Sequence, residues 1–112
     1  MVFDLSKITG LGPYTVQSEP TRELYLKDGR TFLVLHRNTI EVRTDPRLAE
    51  TLTEKYESIM ESRYFGRGGI EIVLAGQLSQ AELIDLVRLS YNLTAQNRKI
   101  TKFSSILFSC VL

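Results

Sequence analysis

The sequence predicts an α+β fold, an antiparallel β-meander sheet backed by two main helices. Three observations predict it. Asp28-Gly29 stands between alternating apolar runs, Asp45-Pro46 opens an amphipathic stretch, and Ser79 and Glu82 have the spacing of a capping box.

The 112 residues suit a single domain. Hydrophobic residues make up 43% and charged residues 24%, so most of the chain is expected to fold. A net charge of +1 argues against a dominant attraction to nucleic acid or anionic membrane, though not against a local basic patch. Cys110 is the only cysteine, so no internal disulfide forms, which suits a reducing compartment. No apolar stretch reaches membrane-spanning length, and Met1 to Leu5 has no signal-peptide pattern. A cytoplasmic location without membrane contact is the expectation.

Gly10, Gly12, Pro13 and Pro20 leave residues 1–20 little room for regular structure. They are expected to form an N-terminal extension, with a short helix over Asp4 to Thr9 or loop, and a turn at Gly10 to Pro13. The main domain is expected over 21–94. Leu24 and Leu26 alternate with Glu23, Tyr25 and Lys27, as in a half-buried strand. Asp28-Gly29 then supplies the positive φ angles of a type I′ turn. Arg30 to His36 returns, with Phe32 and Val34 on one face and Leu33 and Leu35 on the other, the pattern of a central strand. Arg37-Asn38 turns the chain again, and Thr39 to Arg43 alternates as a third strand.

Asp45 caps a helix with Pro46 at its first position. Ala49, Leu52, Tyr56 and Ile59 carry its buried stripe, and it is expected to fade near Met60 to Arg63. Gly66, Gly68 and Gly69 mark a loop, and Ile70 to Leu74 a strand. A second helix follows the capping box and runs to about Thr94. Residues 95–112 form a C-terminal apolar tail whose spacing fits helix or strand. Phe103, Leu107 and Val111 on it are candidates for contact with a protein partner or a second copy.

The candidate ligand-facing segment is Arg63 to Gly69. Arg63 and Arg67 suit phosphates, Tyr64 suits base stacking, and Gly68 lets backbone amides approach a ligand. The same residues also fit a turn whose aromatics pack beneath it. His36 is the only histidine and is read as an edge or surface residue; no metal site and no cofactor are expected. Glu50, Glu54, Glu57 and Glu61 recur at helical steps, but Arg47 and Lys55 share the helix, which makes a solvated face the expectation. No acid, base or nucleophile constellation appears, so the chain is expected not to be an enzyme.

The ordered combination of Lys27-Asp28-Gly29-Arg30-Thr31-Phe32, Arg43-Thr44-Asp45-Pro46, Leu78-Ser79 with Glu82-Leu83, and Ser90-Tyr91-Asn92-Leu93 resembles the MmcQ/YjbR family over Tyr25 to Thr94. The resemblance implies a frataxin/CyaY-like fold and a non-enzymatic, DNA-binding module, and the residues themselves offer the basic and aromatic loop with Arg63 and Arg67 as its contact. The chain departs from the family in its short N-terminal segment and in lacking a His-Trp pair before the last strand. The alternative is a protein-interaction or structural domain that self-associates through the apolar tail.

Overall fold

The computed structural model describes residue 8 and residues 10–94. The expected helix over Asp4 to Thr9 falls largely outside the described residues, and the tail with Phe103, Leu107 and Val111 falls wholly outside them. The fold is α+β, with a six-stranded antiparallel sheet and two helices. In chain order the elements are β1 (Thr15–Ser18), β2 (Glu23–Lys27), β3 (Arg30–Leu35), β4 (Thr39–Arg43), α1 (Pro46–Lys55), β5 (Ile59–Ser62), β6 (Gly66–Val73) and α2 (80–94). The strand order is β1-β2-β3-β4-β6-β5.

The turns follow the local chemistry. Asp28 and Gly29 both have positive φ, 52° and 79°, as a type I′ turn requires. The His36 amide donates to Thr39 O at 2.9 Å across the Arg37-Asn38 turn. Asp45 Oδ1 accepts the Leu48 amide at 2.8 Å, and Pro46 sits in the first turn of α1. The capping box closes in both directions: the Ser79 amide donates to Glu82 Oε1 at 2.9 Å, and the Glu82 amide to Ser79 Oγ at 3.2 Å. Backbone and hydroxyl contacts with Ser79 hold the Glu82 carboxyl below its usual range.

Three elements differ from the sequence expectation. Residues 15–18, within the expected extension, form β1 and pair with β2 through Thr15↔Leu26 to Ser18↔Glu23. Its side chains are all exposed, so no apolar alternation marked it. α1 stops at Lys55, where Tyr56 turns extended, and Ile59–Ser62 becomes β5. A strand there buries Ile59 opposite Ile72 and covers the edge of β6 that a longer helix would leave open. Glu57 and Glu61 therefore leave the helix, and the continuous acidic face does not form. Lastly, β6 begins at Gly66 rather than Ile70, so the glycines lie within a strand.

One sheet face carries the core. Leu33, Ile40, Val42, Ile59, Ile70 and Ile72 meet Ala49 of α1 and Leu83 and Val87 of α2 in one buried cluster. Both helices thus pack on the same face. A register shift near Tyr25 and Leu26 leaves Phe32 opposite no β2 residue. Phe32 joins Leu33 in the core rather than sharing the face of Val34.

Ser90 on α2 serves this irregular point. Its hydroxyl donates to Phe32 O at 2.5 Å and accepts the Arg43 amide at 2.7 Å, so one buried side chain joins α2 to β3 and β4. Tyr91 packs its ring edge-on to Phe32 with centroids 5.0 Å apart, and its hydroxyl donates to Pro13 O. The Ser90-Tyr91 pair is therefore a packing device. Ser90→Ala would leave a buried carbonyl and a buried amide without their partner. Urea denaturation should show a loss of about 1–3 kcal/mol; an unchanged midpoint would contradict this role.

Candidate functional site

The second sheet face, turned away from both helices, carries polar chemistry. Strand alternation puts Ile40 and Val42 in the core and Thr39, Glu41 and Arg43 opposite. Likewise Ile70 and Ile72 face inward and Glu71 outward. Yet Glu41 and Glu71 are only 1% and 3% exposed, and they stand directly opposite each other on β4 and β6. Two facing carboxylates repel, and burial raises the cost, so the surrounding residues must compensate.

Glu71 is held by Arg63, whose Nε donates to Oε1 at 2.9 Å and Nη2 to Oε2 at 2.8 Å. The Thr39 hydroxyl donates to Oε2 at 2.7 Å. The Glu71 contact raises the Arg63 pKa, fixing its charge. Glu41 Oε1 accepts the Ser62 hydroxyl at 2.7 Å and the Tyr64 amide at 2.9 Å, while Oε2 meets His36 Nε2 at 2.5 Å. Burial pushes the Glu41 carboxyl up. Hydrogen bonds from His36, Ser62 and the Tyr64 amide outweigh it, and the net result is a lowered pKa. An ionised carboxylate only accepts, so Nε2 of His36 carries the proton in this contact.

This network shapes the β5–β6 turn. Ser62 Oγ, bonded to Glu41, in turn accepts the Phe65 amide at 2.8 Å. The Tyr64 hydroxyl meets Thr31 Oγ1 at 2.9 Å, so Tyr64 spans from β4 to β3 across the second face. Pairing jumps from Glu61↔Ile70 to Ser62↔Gly66, which leaves Arg67, Gly68 and Gly69 with no partner on β5. Gly69 is required by close approach: a Cβ there would lie 2.5 Å from Phe65 Cβ and 2.7 Å from Val42 O.

Four planar groups line up as a result. Arg43 Cζ lies 4.8 Å from the Phe65 ring centroid. Phe65 and Tyr64 have centroids 4.9 Å apart at 72°. Arg22 Cζ lies 5.5 Å from the Tyr64 centroid. Arg22 is paired with Glu19 at 2.6 Å. Arg43 is different: its Nε donates to Thr31 O, and no carboxylate lies within ion-pair distance among the described residues. Burial first, and then the charge of nearby Arg30, lower the Arg43 pKa.

The four residues singled out in the sequence therefore point in different directions. Arg63 is committed to Glu71, although its side chain is 73% exposed. Tyr64 lies over the second face and is 40% exposed. Arg67 faces α1, where it lines a groove of about 350 Å³ with Arg47, Glu50 and Glu61. Gly68 accepts the Thr44 amide at 2.8 Å, at the junction of β4 and α1. Arg22, Arg30, Arg43 and the two buried glutamates were not anticipated. Ile40-Glu41-Val42 and Ile70-Glu71-Ile72, each an acid inside an apolar strand, are the signals that mark the glutamates.

His36, Glu41 and Glu71 each bring a donor atom within 4.8 Å of the others. Imidazole and carboxylates are a donor set that suits divalent transition metals. Here every carboxylate oxygen already accepts a hydrogen bond, and Arg63 supplies the compensating cation beside Glu71. The arrangement is a closed ionic network.

Because the folded-state pKa of Glu41 is lowered, its contribution to stability is present above the ordinary carboxylate range and is lost as pH falls through the folded value. Wild type should exceed Glu41→Gln in stability at neutral pH, with the gap closing below about pH 4. Urea midpoints measured from pH 7 downward check this; a gap that stays constant on acidification would contradict it.

No protein-family model matches the chain, and comparison with curated proteins and with solved structures finds no match.

Proposed function

We propose that this chain is a non-enzymatic binding module for nucleic acid, of the MmcQ/YjbR type that its motifs resemble, and that the β5–β6 turn is its contact element. The observation that carries the reading is the pair Arg30 and Arg43 beside an exposed tyrosine. The two guanidiniums repel each other, and neither has a carboxylate within ion-pair distance among the described residues. A phosphate placed between them would relieve that repulsion and gain charge-assisted hydrogen bonds.

Arg67 likewise has no ion pair among the described residues and stands at the end of the same turn. Arg63 contributes position more than charge, since Glu71 neutralises it. Tyr64 offers ring surface, and Gly68, which has no side chain, leaves the backbone at the junction of β4 and α1 open to approach. Among the described residues no helix is long and apolar enough to cross a membrane.

The test is fluorescence anisotropy with a labelled mixed-sequence oligonucleotide at low salt. Among the described residues the side chains of Arg30 and Arg67 make no ion pair, so Arg30→Gln with Arg67→Gln should leave thermal stability unchanged. It should weaken binding about fivefold or more and flatten the salt dependence by about one phosphate or more. Unchanged affinity and salt slope in the double variant would overturn the site.

A further inference from the structure

We infer that the nucleic acid this face takes is a short single strand rather than a duplex, an inference that rests on the binding reading above. Arg43, Phe65, Tyr64 and Arg22 form a continuous run of planar groups, with a cation at each end and two adjacent aromatics between. Aromatic rings and guanidinium planes are what unpaired bases stack on. In a duplex the base faces are hidden, and this run would meet only the sugar-phosphate exterior.

The topology points the same way. α1 and α2 both pack on the opposite sheet face, so neither stands on this one to enter a major groove. The face itself is a sheet surface crossed by the Tyr64 turn.

Charge limits the length of strand engaged. Arg22 is neutralised by Glu19 and Arg63 by Glu71, which leaves Arg30 and Arg43 here and Arg67 at the margin. The whole chain carries a net charge of only +1. Two or three phosphates are the most this set neutralises, so the logarithm of the affinity should fall with the logarithm of salt at a slope of about −1.5 to −2. A face that depended on phosphates alone would bind weakly at that slope, and stacking supplies the remainder.

Anisotropy is measured with a labelled oligonucleotide of about 12 nucleotides, as single-stranded DNA, as the same sequence in RNA, and annealed as a duplex. At least one single strand should bind about tenfold or more tightly than the duplex, and which one does identifies the sugar. Tyr64→Leu should lose about tenfold on the single strand and little on the duplex, whereas Tyr64→Phe, which keeps the ring, should stay within about twofold of wild type. Thermal melts of both variants report whether the fold is kept. A duplex bound as tightly as the single strands overturns this inference and leaves the proposed function standing. Full single-strand affinity in Tyr64→Leu overturns the stacking role. No binding to any of the three at low salt overturns the proposed function itself.

Discussion

The second face of the sheet is organised by one buried carboxylate. Glu41 sits on a central strand, and its two oxygens together meet a hydroxyl, a backbone amide and an imidazole. Burying an ion costs several kcal/mol unless it is paired and hydrogen-bonded. Once paired, the same ion becomes a strict template, because every donor that satisfies it must stay in place. Ser62 and the Tyr64 amide are two of those donors, and both belong to the β5–β6 turn. The course of that turn, and so the positions of Arg63, Tyr64 and Phe65, follows from satisfying Glu41. Glu71 adds a second constraint from the facing strand, answered by Arg63 from the same turn.

The sheet therefore has two faces held by different physics. On one, aliphatic side chains from four strands and two helices exclude water, and Ser90 joins α2 to β3 and β4 where the ladder is irregular. On the other, charges and rings interlock. The first face tolerates volume-conserving exchange, as apolar cores do. The second does not, since removing any one partner leaves a buried charge exposed to its like. An arrangement this rigid presents its outer groups, Tyr64 and Arg43 among them, in a fixed geometry. Such preorganisation lowers the entropic cost of binding a flexible ligand.

Much of the architecture was legible because it is written locally. Asp28-Gly29 needs only its neighbours to adopt positive φ, and Asp45 and Ser79 with Glu82 cap helices within three residues of themselves. What resisted reading depends on distant partners. β1 has no apolar alternation, and its pairing with β2 is visible only in the fold. α1 stops at Lys55 because Ile59 is needed opposite Ile72, a long-range demand that helical spacing through Tyr56 and Ile59 conceals. The glycines at 66–69 read as a loop, but Gly69 answers to Phe65 and Val42, which no local pattern reveals. The site was partly legible in the same sense. Arg63 and Tyr64 were found by their chemistry, whereas Glu71 lies far from His36 and Glu41 in sequence and meets them only through strand register.

The most direct measurement of this account is amide hydrogen exchange at Tyr64, followed by NMR at neutral pH. That amide belongs to a turn residue that is 40% exposed, so turn position alone would let it exchange quickly. If Glu41 templates the turn, the Tyr64 amide exchanges as slowly as the central amides of β4 and β6. Exchange at the rate of an unstructured chain would contradict the account.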